Sequence, residues 1–160
     1  MSYENLSSML ADAREKRYAV GAFNIVNYLT ASAVLRAAEE AKAPVILQTS
    51  TSTVKAFGPA ALMDFLGPLA RRAAVPVVVH LDHCADPALA RRCIDAGWSS
   101  VMIDASRLPM EENIRVTRDV REYAESKGVT VEGELGSIAG VEDEIAVSAE
   151  ALADPRQSLI

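Results

Sequence analysis

Apolar residues gather along this chain in five short runs separated by longer amphipathic stretches. The runs are Tyr18–Phe23, Pro44–Thr49, Val75–His80, Ser99–Ile103 and Val129–Leu135. They recur roughly 24 to 32 residues apart, measured between Val20, Val45, Val77, Val101 and Val129. Within them the apolar residues are contiguous, as in VILQ, VPVVV and SVMI, instead of alternating with polar ones. Contiguous runs mark strands covered on both faces, the condition of a parallel sheet in an α/β protein. Four intervening stretches carry apolar residues three and four apart and predict helices. Thr30–Lys42 opens on a threonine cap, with Ala31, Val34, Leu35 and Ala38 as its apolar stripe. Pro59–Ala74 and Pro87–Ala96 place proline at a first helical position, and Met110–Lys127 runs into Gly128 as a stop.

Strand then helix at this period suits either a doubly wound sheet or a (β/α)8 barrel of the TIM type. No Gly-x-Gly-x-x-Gly or Walker loop follows a strand, which weakens the nucleotide-binding version. Polar residues instead cluster at successive strand ends: Asn24 and Asn27, Gln48 and Ser50, Asp82 and His83, Asp104 and Ser106, Glu132 and Glu134. Polar groups from many strand ends meeting at one rim are what a barrel active site requires. The expected fold is therefore the first five βα units of a TIM barrel, with residues 1–160 forming a single incomplete domain. Ser148–Ala153 and Asp154-Pro155 read as the start of a further unit with too few residues after it, so the chain is expected to be cut short. An open five-stranded parallel sheet leaves two edges bare, so self-association or aggregation is expected of it.

Composition narrows the partners. Half of the residues are hydrophobic, 24% are charged, and the net charge is −6. That balance fits a soluble globular protein and argues against nucleic acid, which selects a basic face. No apolar run approaches the roughly 20 residues that cross a bilayer, and the mixed, charged N-terminus is not a secretory signal. The sparse pair Cys84 and Cys93 suggests no oxidising compartment, so the two are expected to be ordinary buried thiols of a cytoplasmic protein.

The chemistry concentrates in Val77-Val-Val-His80-Leu-Asp82-His83, which holds the only two histidines of the chain. Imidazoles beside a carboxylate at the tip of a buried strand suit a metal site or a proton-transfer site. Strand alternation puts His80 and Asp82 on one face and His83 on the other, unless the chain turns there. Glu132 and Glu134 share a strand face, which is costly in a core unless something positive lies opposite. The blander readings are hydrogen-bonded strand ends for Asn24, Gln48, Ser50 and Asp104, and a solvated acidic loop for Glu142. A structural zinc site from His80, His83, Cys84 and Cys93 fits no familiar spacing.

Five motifs in order resemble the class II, zinc-dependent ketose-bisphosphate aldolases of the fructose- and tagatose-bisphosphate type. They are Val20-Gly-Ala-Phe-Asn-Ile-Val-Asn27, Pro44-Val-Ile-Leu-Gln-Thr-Ser50, Val77-Val-Val-His-Leu-Asp-His83, Ser100-Val-Met-Ile-Asp-Ala-Ser106 and Glu132-Gly-Glu-Leu-Gly136. The likeness runs from about residue 3 to Pro155. It implies a TIM barrel that reversibly cleaves a ketose 1,6-bisphosphate into dihydroxyacetone phosphate and glyceraldehyde 3-phosphate, homo-oligomeric at full length. Carried over, His83 resembles a zinc ligand, Glu134 a carboxylate of the metal site, and Asp104 a residue of the secondary metal region. Asp82 resembles the acid/base at the C4 hydroxyl, and Glu142 the loop glutamate that moves the C3 proton. Asn24, Gln48 and Ser50 fall where the family lines its substrate pocket, with His80 and Glu132 supporting from behind.

The family completes its zinc site with two further histidines, in Gly-x-x-His-Gly and His-Gly-Gly motifs that this chain does not contain. Little or no aldolase activity is therefore expected of the 160 residues alone. The rival readings are a non-catalytic half-barrel that binds metal weakly or assembles with another chain, and an unrelated barrel enzyme acting on a phosphosugar without metal.

Overall fold

A computed structural model describes residues 2–136, and the backbone of residues 140–142 and 145–147. Five strands form one sheet: β1 (Gly21–Asn24), β2 (Val45–Ser50), β3 (Val77–Cys84), β4 (Ser100–Ile103) and β5 (Thr130–Gly133). They pair in sequence order and every pair is parallel. Helices α1 (Leu6–Lys16), α2 (Tyr28–Ala41), α3 (Thr51–Phe57), α4 (Pro59–Arg72), α5 (Pro87–Asp95) and α6 (Met110–Glu125) precede or connect them. A short antiparallel pair, β6 (Gly140–Glu142) with β7 (Ile145–Val147), follows. Ser148–Ala153 and Asp154-Pro155 lie outside the described residues.

Strict sequential order with helical crossovers is the arrangement of a (β/α) barrel, here with five of its strands. The contiguous apolar runs are explained by cover on both faces. Val45, Leu47, Val77, Val79, Leu81, Val101 and Ile103 pack with residues of α2, α4, α5 and α6 in the main core. On the opposite face Ile46 and Val78 pack with Leu6 and Met9 of α1. Helix α1 therefore plugs the N-terminal end of the half-barrel. It is tied there by Val77 N donating to Ser2 O at 2.6 Å and by Ser7 N donating to Thr130 Oγ1 at 3.0 Å.

Helix boundaries follow local chemistry more closely than hydrophobic period. The second helix does not open on Thr30. Asn27 is its N-cap and accepts from Thr30 N at 3.0 Å, while the Thr30 hydroxyl accepts from Asn27 N at 3.1 Å. This reciprocal box satisfies two amides that would otherwise be orphaned, and it starts the helix two residues early. Pro59 follows Gly58, whose φ of 84° lets the chain turn from α3 into α4. Asp86 caps α5 by accepting from Ala88 N at 2.9 Å, immediately ahead of Pro87. Helices α1 and α3 were not among the expected elements, because each has few apolar residues to mark its period. Leu6, Met9 and Ala13 are the buried residues of α1, and Val54 that of α3.

Trp98 is 1% exposed and packs in the main core, and Cys84 and Cys93 are both buried free thiols. Leu66 of α4 lies in the same cluster at 0% exposure. Leu66→Ala is expected to cost about 2–5 kcal/mol, because a buried leucine loses its transfer energy and leaves a cavity. Urea denaturation checks this, and an unchanged midpoint would contradict the packing described.

Candidate active site at the tip of β3

A row of polar side-chain positions crosses the whole sheet at one level. Asn24 pairs in register with Gln48, Gln48 with His80, His80 with Ser100, and Ser100 with Thr130. Two residues further along, Ser50 pairs with Asp82 and Met102 with Glu132. The row lies at the end of β1 and within β2 and β3, but at the first residues of β4 and β5, so Ser100 and Thr130 are not among the expected strand-end groups. Ser50 also caps α3, accepting from Thr53 N at 3.3 Å. The bland reading of that residue thus holds alongside its place opposite Asp82.

The strand breaks regularity where the chemistry lies. Between Leu81 and Cys84 the β3–β4 register shifts, and His83 takes φ 43°. Left-handed backbone costs a non-glycine residue about 1–2 kcal/mol, so the surroundings must hold it. The turn answers the parity problem, because it lets Asp82 and His83 serve one site from adjacent positions. His83 Nε2 lies 4.0 Å from Asp82 Oδ1. His83 Nδ1 lies 3.3 Å from Asp104 Oδ2 and 3.3 Å from Glu134 Oε2. All four side chains are partly buried, at 13–26% exposure.

His83, Asp104 and Glu134 each offer one ligand atom, and these atoms lie within 4.8 Å of one another. Three ligands about 2.1 Å from one tetrahedral ion would stand about 3.4 Å apart, close to the imidazole–carboxylate separations here. One nitrogen and two carboxylate oxygens thus fit part of a divalent metal site. No cluster of His80, His83, Cys84 and Cys93 forms among the described residues. Asp104 is also fixed by Ser106, whose hydroxyl donates to Oδ1 at 2.6 Å and whose amide donates at 3.2 Å. Burial raises its carboxyl, but the two Ser106 bonds and His83 outweigh that and hold it below the usual range.

His80 lies beneath this group at 3% exposure. Its Nδ1 is 2.8 Å from Ser100 Oγ, and its Nε2 is 3.6 Å from Glu132 Oε2. The Nδ1–Ser100 contact is a hydrogen bond whose direction follows the imidazole tautomer, and the Glu132 contact is an electrostatic approach longer than a hydrogen bond. Burial, and then the nearby His83, push the His80 pKa from 6.5 to about 4. Glu132, half exposed, has its carboxyl raised by burial and then by Asp82. Because His80 protonates more readily when unfolded, its contribution is complete above about pH 6.5 and is lost as pH falls towards about 4. The loss is at most about 3 kcal/mol, and Glu132 partly offsets it, since a raised carboxyl favours the folded state at low pH. His80→Gln is expected to flatten this part of the stability–pH curve, measured as urea midpoints from pH 4 to 7. A curve as steep as that of the unsubstituted chain would contradict it.

Three contributors are given no role by the sequence. Ser100 opens one of the five motifs but reads there as part of an apolar strand. Asn113 of α6, 5% exposed, donates through Nδ2 to the Glu134 carbonyl at 2.7 Å and fixes the exit of β5. Thr51 of α3 donates through Oγ1 to the His83 carbonyl at 3.1 Å. A polar residue inside a strand or at a helix start opposite the β3 tip is the available signal for each. Of Glu142 the structure describes only the backbone, in β6; its side chain lies outside the described residues.

The chain is similar to known proteins in sequence and fold. Residues 4–159 match the family described as fructose-bisphosphate aldolase class-II. The fructose-bisphosphate aldolase of Geobacillus stearothermophilus is 42% identical over 160 residues, covering 98% of this chain and 56% of the relative. That of Staphylococcus aureus (strain Mu50) is 41% identical with the same coverage. Among solved structures, the YdjI aldolase from Escherichia coli K12 aligns with a TM-score of 0.79 and 34% identity, over 84% of this chain and 51% of that one. The fructose-bisphosphate aldolase from Campylobacter jejuni aligns with a TM-score of 0.77 and 25% identity, over 84% and 48%. The chain thus spans about half the length of the relatives it matches, and the reading as an unrelated metal-free barrel falls. No helix among the described residues is long and apolar enough to cross a membrane. The family match over residues 4–159 and the shared fold lead to one conclusion: this chain belongs to the class II fructose-bisphosphate aldolase family.

Proposed function

We propose that these residues supply the proton-transfer carboxylate and part of the metal site of a zinc-dependent ketose-bisphosphate aldolase. The observation that supports this most is the turn at His83. It sets Asp82 beside one imidazole nitrogen and the Asp104–Glu134 pair beside the other. His83, with Glu134 and Asp104, would hold zinc, which supplies Lewis-acid stabilisation of the negative charge left when the C3–C4 bond breaks.

Asp82 takes the proton from the C4 hydroxyl as the bond opens and returns it in the condensation direction. His80 and Glu132, 3.6 Å apart, support this group from behind. Gln48 and Asn24, in register with His80, orient the sugar phosphate. Glu142 exchanges the proton at C3 from the segment after β5. The substrate is a phosphorylated ketose, fructose or tagatose 1,6-bisphosphate.

The test joins residues 1–155 of this chain to the remaining C-terminal part of the Geobacillus stearothermophilus aldolase. Chelator-sensitive cleavage of fructose 1,6-bisphosphate by the chimera supports the reading, and a folded, zinc-loaded chimera without turnover contradicts it. The 160 residues assayed alone separate the half-barrel reading: the account expects little or no cleavage from them.

A further inference from the structure

Left-handed backbone at His83 needs an anchor, and Thr51 is placed to be one. Thr51 opens α3 directly after Ser50, the last residue of β2. Its Oγ1 lies 3.1 Å from the His83 carbonyl and 3.4 Å from the Asp82 carbonyl. A hydroxyl has one proton to donate, so the shorter contact is the bond and the longer one a favourable dipole. Carbonyls at an irregular strand tip are turned out of the ladder and need such a donor. On the other side of the tip, Asp104 N donates to the Cys84 carbonyl at 3.0 Å. The tip is thus held from both flanks, by β4 through a backbone amide and by β2 through one side chain. Thr49, two residues earlier and within β2, makes the same kind of contact, donating to the His80 carbonyl at 3.3 Å.

We propose that Thr51 is a positioning residue for the metal site: its hydroxyl clamps the His83 carbonyl and so aims the imidazole at Asp104 and Glu134. The inference rests on the metal reading above. Without the hydroxyl, residue 83 relaxes towards ordinary strand backbone, and by strand alternation its imidazole swings away from the two carboxylates. Thr51 stands outside the proposed ligand set and acts on the metal site through His83, its hydroxyl also lying near the Asp82 carbonyl and the Cys84 thiol. Partners of this kind are worth 10–100-fold in metal affinity in other sites.

Cobalt(II), read by its visible absorption, is the probe for the 160-residue chain. Thr51→Val keeps shape and removes the donor, and it is expected to weaken cobalt binding about tenfold. Thr51→Ser restores the donor and is expected to bind within about threefold of the unsubstituted chain. Cobalt bound equally well by Thr51→Val overturns the proposal, as does a Thr51→Ser as weak as Thr51→Val. Thr51→Ala replaces Thr51→Val, with the same expectations, if that variant does not fold. A chain that takes no cobalt even when unsubstituted overturns the metal reading itself, and thermal unfolding then decides the clamp. Thr51→Val should lower the midpoint by about 2–4 °C, and His83→Gly in that background should recover part of the loss, since glycine adopts the left-handed turn freely. An unchanged midpoint in Thr51→Val overturns the clamp.

Discussion

Asp82→Asn in the chimera with the Geobacillus stearothermophilus C-terminal part is expected to lower kcat about 10²–10⁴-fold. Asparagine keeps the size of the side chain and removes its negative charge and its ability to take up a proton. Asp82 is 15% exposed and approaches His83 at 4.0 Å, through the nitrogen facing away from Asp104 and Glu134. The proposed ligand set therefore stays in place, and zinc affinity should change by no more than a few-fold. Zinc titration beside steady-state kinetics separates the two effects. A kcat within tenfold of the parent chimera would remove Asp82 from the proton-transfer role. A parallel collapse of zinc affinity would make it a ligand instead.

His83→Ala should have the opposite signature, with the metal lost first. It takes away the only nitrogen of the three-atom cluster and leaves Asp104 Oδ2 and Glu134 Oε2 facing each other without the imidazole between them. Repulsion between those carboxylates cannot replace the lost donor. Affinity should fall by about 10²-fold or more, beyond what loss of an outer hydrogen bond causes. Equilibrium dialysis of the chain against zinc measures it. Unchanged stoichiometry and affinity would place the metal elsewhere.

How far the sequence reveals this site depends on residue and scale. The strand period is legible because each strand is covered twice: Val77, Val79 and Leu81 enter the main core, while Val78 meets α1. The strand-end groups Gln48, Ser50, Asp82 and Asp104 are legible as polar residues that close apolar runs, whereas the pairing of His80 with Ser100 comes only from the register of β3 and β4. The position of His83 is not. Alternation alone assigns it to the helical face, and only the left-handed turn reverses that. Histidine, unlike glycine, does not announce such a turn. The clamp that holds it is long-range: Thr51 stands 32 residues away from His83 in sequence. Helix α1 is illegible for a related reason, because its stability comes from plugging the sheet and not from its own pattern. The start of α2 shows the limit at short range. Asn27 and Thr30 are both good caps, and the structure uses them together.

The central claim is that the β3 tip turns so that His83, Asp104 and Glu134 hold one metal ion while Asp82 is left beside it for the proton. Crystals of the chain soaked in zinc, with diffraction recorded on both sides of the zinc absorption edge, test it most directly. One anomalous peak is expected, enclosed by His83 Nδ1, Asp104 and Glu134 and absent in His83→Ala. A peak lying away from these three side chains, or one that persists in His83→Ala, would contradict it.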